Sequence, residues 1–150
     1  MQRSFMRRCA RSGSSSDIAV NIRKNEGMKK NMICNNLSVN ENGHLTFAGA
    51  DTVEMARKYG TPLMLLDEGK IREKCSIYRD SMQKYFTPDS MPLYASKALS
   101  FKYIYKIAAS ENIGIDCVSA GEIYTAYKAG FPLERAYFHG NSKTDDEIRF

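Results

Sequence analysis

From residue 51 onward, short unbroken apolar runs alternate with stretches whose apolar residues recur every three or four positions, a rhythm of strands and helices. Ahead of it, Asn40-Glu41-Asn42-Gly43 is a turn signal, and Leu45-Thr46-Phe47 alternates like a short strand. Asp51 can cap a helix, with Glu54 three positions on. Gly60 and Pro62 close that helix, the glycine as a left-handed terminal residue and the proline as a stop. Leu63-Met64-Leu65-Leu66 is an apolar run of strand length. A helix over 69–86 follows, with Ile71, Cys75, Tyr78, Met82 and Phe86 on one face, and Thr87-Pro88-Asp89 breaks it.

The rhythm then settles. Leu93-Tyr94-Ala95 reads as a strand, and Ser100 can cap a helix whose Phe101, Ile104, Tyr105 and Ala108 share a face. Residues 113–118 form the next strand, and Ser119-Ala120-Gly121-Glu122 is a capping box opening a helix that Gly130 and Pro132 end. Residues 136–139 are a further strand. Thr144 then opens a helix with three acids in its first turn, where they suit the helix dipole. Strand ends near 95, 117 and 139 lie 22 residues apart, which predicts parallel βαβ units. Two architectures use such units: an open doubly wound sheet and a closed eight-fold barrel. No G-x-G-x-x-G or G-x-x-x-x-G-K-[ST] turn supports a nucleotide-binding open sheet. A barrel fits, yet a complete one needs ~200 residues or more. The expected fold is α/β, a (β/α)8 barrel of the TIM type cut off after about three strands.

Charge redraws the boundaries of the folded part. The net charge is +5, but residues 1–40 carry 8 Lys/Arg against 2 Asp/Glu, while residues 41–150 carry 14 against 15. The basicity sits in an N-terminal arm, and no basic stripe marks a folded face, which argues against a nucleic-acid partner. Residues 1–27 are rich in Arg and Ser and lack an apolar signal core. They read either as a transit-like segment or as a translated extension ahead of a second start at Met28. The arm is assigned no fold. No apolar stretch approaches the ~20 residues of a membrane span. Cys9, Cys34, Cys75 and Cys117 lie 25, 41 and 42 residues apart, without metal-ligand spacing, so no metal is expected. They read as reduced, buried small residues of an intracellular protein.

In both architectures reactive residues gather at the carboxyl ends of the strands. That rule selects Lys97, Asp116, Ser119, His139 and Asn141. Lys97 ends an apolar strand, where partial burial would favour a free amine able to form a Schiff base. The plain alternative is an exposed strand-end lysine. Asp116 is either a carboxylate facing the same mouth or a polar residue satisfying strand-end backbone groups. Ser119 and Glu122 are accounted for by the capping box. His139 stands between a site residue and a hydrogen-bonded loop histidine, and His44, in a turn, is assigned no role.

Tyr94-Ala95-Ser96-Lys97-Ala98 resembles the cofactor-lysine segment of the pyridoxal-phosphate decarboxylases with an alanine-racemase-type barrel, which act on diaminopimelate, ornithine and arginine. Residues 114–122, from Gly114 to Glu122, are similar to that family's second barrel strand and the start of its helix. Tyr137-Phe138-His139-Gly140-Asn141-Ser142-Lys143 resembles the diaminopimelate branch, as does Thr61-Pro62-Leu63-Met64-Leu65-Leu66-Asp67. The likeness covers residues 36–150.

The resemblance implies pyridoxal 5′-phosphate as cofactor, held as a Schiff base on Lys97, with Asp116 beside it and His139 and Asn141 lining the mouth. It implies decarboxylation of meso-2,6-diaminopimelate to L-lysine. The alternatives are an ornithine- or arginine-type decarboxylase of the same family, or a non-catalytic cofactor-binding fragment. A homodimeric full-length form in the cytoplasm is expected, or in a plastid if residues 1–27 are a transit peptide. Residues 51–150 would be the first part of the barrel, and residues 28–50 would join a C-terminal β-domain. In that family the phosphate loop, the acid on the pyridine nitrogen and the substrate-binding arginine follow the segment seen here. The 150 residues alone are therefore expected to be inactive.

Overall fold

The computed structural model describes residues 34–150, together with the backbone of two short antiparallel strands, β1 (Ser4–Met6) and β2 (Ile18–Val20). The rest of the basic arm, on which the transit-like and extension readings fall, lies outside the described residues. The chain divides into two units, Met1–Ile71 and Arg72–Phe150.

In the first unit, β3 (Leu37–Val39), β4 (Leu45–Phe47) and β5 (Ala50–Asp51) form an antiparallel sheet in that order. The Asn40–Gly43 turn joins β3 to β4, with Asn40 Oδ1 accepting from the backbone of Asn42 and His44. Helix α1 (Thr52–Tyr59) starts at Asp51, whose Oδ1 accepts from the N–H groups of Val53 at 2.8 Å and Glu54 at 3.1 Å. The capping box expected here is thus a single-residue cap. Asp51 Oδ2 takes Asn40 Nδ2 at 2.7 Å and His44 Nδ1 at 2.8 Å, so His44 has a role after all: it ties the hairpin to the helix cap. Met55 and Ala50 form a small core against Tyr59, Leu63 and Leu65. Leu63–Leu66 does not become a strand. Leu65 alone makes a bridge, and Met64 is exposed, because apolar residues form a strand only where a neighbouring backbone offers a ladder.

Partial burial tends to raise the Asp51 pKa, but hydrogen bonds from His44, Glu54, Asn40 and Val53 to the ionised carboxylate outweigh it. They bring the value from 3.8 to about 2. The unfolded chain therefore binds this proton more tightly than the folded one. The stabilisation is present above the ordinary carboxylate range and is lost as pH falls through about 2. In urea titrations repeated down this range, the wild-type midpoint should drop more steeply than that of Asp51→Asn, which keeps a competent cap. Parallel acid limbs would show that the four bonds do not favour the anion.

Helix α2 (Glu68–Tyr85) begins under a cap from Asp67, whose Oδ1 accepts from the N–H of Lys70 at 3.1 Å. Its predicted apolar face is only partly buried, with Tyr78 and Phe86 exposed. In the second unit it is held instead by two arginines. Arg72 donates to Glu111 Oε1 at 2.6 Å and Ser110 Oγ at 2.7 Å, and Arg79 donates to the Glu111 carbonyl at 2.8 Å.

The second unit is built on a parallel sheet whose strands run in chain order: β6 (Leu93–Ala95), β7 (Gly114–Cys117) and β8 (Ala136–Phe138). Helix α3 (Lys102–Ser110) joins β6 to β7, and α4 (Ala120–Ala129) joins β7 to β8. Ile104, Tyr105, Ile107 and Ala108 of α3, Ala126 of α4, and Ile115 and Cys117 of β7 are buried with Phe131. Ser100 does not cap α3; its hydroxyl pairs with that of Tyr105 at 2.7 Å. Ser119 does cap α4, and Glu122 reaches back to the N–H of Val118, one residue earlier than a standard box. Gly130 is left-handed, as expected of a helix end. Helix α5 (Asp145–Arg149) opens with a full Thr144–Glu147 box.

Gly114 has no room for a side chain. A Cβ there would lie 2.5 Å from Leu93 Cδ2 and 2.8 Å from the carbonyl oxygen of Arg135. Among the described residues no helix is long and apolar enough to cross a membrane.

Candidate functional site

The middle strand decides which way the candidate residues face. Successive side chains of a strand point to opposite sides. Ile115 and Cys117 are fully buried under α3 and α4, so Asp116 projects from the other, open face of the sheet. The register puts Ala95 and Tyr137 level with Asp116 on its two sides. Tyr137 is 52% exposed, which marks this face as uncovered.

His139 follows β8 by one residue and extends the ladder, its N–H donating to the Cys117 carbonyl at 2.9 Å. Two positions beyond Tyr137, it shares the face of Asp116, and its Nδ1 lies 3.9 Å from Asp116 Oδ1. That distance exceeds a hydrogen bond, and the imidazole is 78% exposed, so the pair contributes little to stability. Asp116 Oδ1 is buried and makes no hydrogen bond. A carboxylate oxygen left in that state wants a donor.

Lys97 sits in a 3-10 turn, Ser96–Ala98, directly after β6. It is exposed, so the burial expected to favour a free amine is not supplied by the described residues. Its neighbours are tied down on the helix side. Ser96 is fully buried, its Oγ 3.5 Å from Cys117 Sγ. The Tyr94 hydroxyl donates to the Leu99 carbonyl at 2.8 Å, and burial pushes its pKa up to about 12. Burial likewise raises the Cys117 thiol, against the hydrogen bond from Ser96. Cys117 is thus the buried, inert thiol expected, Cys75 is half-buried, and Cys34 is exposed, contrary to expectation; Cys9 lies outside the described residues.

The loop after β8 is fastened by a residue not singled out from the sequence. Lys143 Nζ donates to the carbonyls of His139 at 3.0 Å and Val118 at 3.4 Å, and sits 3.7 Å from the Phe138 ring centre. It binds the ends of β7 and β8 together. Asn141 lies exposed in that loop, and no hydrogen bond among the described residues ties it to the other candidates. Asp116 and His139 are therefore neighbours, Lys97 is presented at the same end of the sheet, and Asn141 stands apart. No group of three His, Cys, Asp or Glu side chains among the described residues could hold a metal ion.

A primary amine and an unmet carboxylate acceptor at one open sheet end fit a carbonyl-bearing group whose nitrogen becomes cationic. Comparison with known proteins points to the same chemistry. Residues 68–150 match the family described as pyridoxal-dependent decarboxylase, pyridoxal binding domain. The chain is 43% identical over 110 residues to the diaminopimelate decarboxylase of Bacillus methanolicus, covering 73% of this chain and 25% of that protein. It is 44% identical over 115 residues to that of Methanothermobacter thermautotrophicus, covering 76% and 26%. A crystal structure of diaminopimelate decarboxylase from M. jannaschii superposes with a TM-score of 0.64 at 31% identity, over 76% of this chain and 27% of that one. The chain thus spans about a quarter of the length of the curated relatives it matches.

Proposed function

Since this chain belongs to the pyridoxal-dependent decarboxylase family, we propose that it forms the front part of a diaminopimelate decarboxylase, with Lys97 as the residue that carries pyridoxal 5′-phosphate. The observation that carries this is the presentation of Lys97 on a tethered turn, at the strand end beside the unpartnered Asp116 oxygen. Bound there, the cofactor supplies an electron sink for the carbanion left when carbon dioxide departs.

Lys97 Nζ would hold the group covalently and leave the helix side of the sheet undisturbed. The Asp116 carboxylate, one strand away, would accept a hydrogen bond from a proton-bearing nitrogen and balance its charge. His139 would line the mouth beside Asp116, with the Lys143 tether fixing its backbone. Asn141 would contribute only if the loop 140–143 turned inward.

The parallel sheet in chain order supports a partial (β/α)8 barrel over the doubly wound alternative, whose strand order reverses at a switch point. The antiparallel sheet of β3, β4 and β5 supports the reading that the described part of the segment 28–50, from Cys34 on, would join a C-terminal β-domain. The diaminopimelate branch implies meso-diaminopimelate as substrate and L-lysine as product, and a related M. jannaschii enzyme was crystallised in co-complex with L-lysine. A homodimer in the cytoplasm completes the assignment.

The test uses the protein bearing this sequence, isolated from its source cells. Carbon dioxide and lysine should appear from meso-diaminopimelate, and borohydride reduction should fix a pyridoxyl group on the Lys97 peptide. Release from ornithine or arginine in place of meso-diaminopimelate would move it to the sister branch, and an unmodified Lys97 would remove the chemistry altogether.

A further inference from the structure

The turn that carries Lys97 is too short to orient itself. A three-residue 3-10 turn closes on very few internal bonds, and Ala95 at its start provides no side-chain cap. Its geometry must come from tethers. Two reach it from the helix side: the Ser96–Cys117 contact below its start, and the Tyr94–Leu99 hydrogen bond, which spans the turn from the strand residue before it to the residue after it. Tyr94 stands one position out of phase with Ala95, so its ring lies on the opposite side of the sheet from Asp116 and cannot reach a group bound at Lys97.

Resting on the assignment of Lys97 above, we propose that Tyr94 is a positioning residue: its hydroxyl, by holding the Leu99 carbonyl, sets the direction in which Lys97 leaves the sheet. The Ser96 contact fixes one end of the turn, and the Tyr94 bond fixes the other. Cutting the second leaves the lysine chemically intact and free to point elsewhere. Because the hydroxyl stays protonated until about pH 12, the tether operates across any practical assay range.

The experiment takes the whole protein that bears this sequence, reloads it with pyridoxal 5′-phosphate, reduces with borohydride, and measures by peptide mass spectrometry how far label on Lys97 exceeds that on the other exposed lysines of this segment. Tyr94→Phe keeps the ring and loses only the bond, and should lower that preference about three- to tenfold, the range one hydrogen bond commands. Tyr59→Phe removes a buried tyrosine hydroxyl in the first unit and should leave the preference at the wild-type level. Each variant is compared with wild type brought to equal stability by urea, so loss of folding is not mistaken for loss of direction. A wild-type chain that labels Lys97 selectively and a Tyr94→Phe chain that does so equally would overturn the positioning role alone. A wild-type protein with no preference for Lys97 would overturn the assignment of Lys97, and the role of Tyr94 with it.

Discussion

Lys97→Ala should abolish selective attachment of pyridoxal 5′-phosphate to this segment of the whole protein that bears it, leaving only the background carried by the other exposed lysines. The side chain lies in the solvent-facing turn after β6, so its removal opens no cavity. Stability should stay within about 0.5 kcal/mol of wild type, as for surface substitutions generally. Lys97→Arg sharpens the test. It keeps the positive charge, but a guanidinium that is never deprotonated offers no free amine to a carbonyl. Both variants should therefore fail alike, while a purely electrostatic site would be rescued by arginine. Borohydride trapping followed by peptide mapping reads the difference, with the urea midpoint as the control on folding. Equal labelling of Lys97 and Lys102 in the whole wild-type protein would sink the assignment.

The largest loss of stability should come from Tyr105→Ala. Tyr105 is fully buried on α3, its ring set edge-on to Phe131 with centroids 6.5 Å apart and planes at 70°. Truncation removes that contact and leaves a cavity in a unit with few other buried large side chains. A loss of roughly 3–5 kcal/mol is expected. Small domains have about 5–15 kcal/mol in total. Tyr105→Phe, which loses only the hydroxyl bond to Ser100, should cost about 1 kcal/mol. Urea denaturation followed by far-ultraviolet circular dichroism separates the two, and near-equal costs would mean that the ring is not the anchor of this core.

Much of the second unit was legible because its signals are local. A residue that can cap a helix does so through its own neighbours, as at Ser119 and Thr144, and Gly130 ends α4 because the chain needs positive φ there. Parallel β6, β7 and β8 follow from short, mostly apolar strands separated by helices of nine and ten residues. The places where expectation failed are those where the choice of side-chain or backbone partner decides. Ser100 was free to cap α3, yet the Tyr105 hydroxyl claimed it. The periodic face of α2 is half bare, and Arg72 and Arg79 hold the helix instead through Glu111, just past the end of α3. Leu63–Leu66 has strand composition and only one bridged residue.

The candidate site divides along the same line. Its membership could be read from the sequence, because strand ends can be counted and Lys97, Asp116 and His139 each fall at one. The family likeness rests on the same segments. Their relations could not be read. That Asp116 keeps an unmet oxygen 3.9 Å from His139 and that Lys143 reaches the Val118 carbonyl at the end of the neighbouring strand depend on register between strands some twenty residues apart. A side chain's chemistry and local backbone preference are written in the residue and its neighbours. Its partner is chosen only when the strands align, since moving one strand by a single residue turns every side chain on it to the other face.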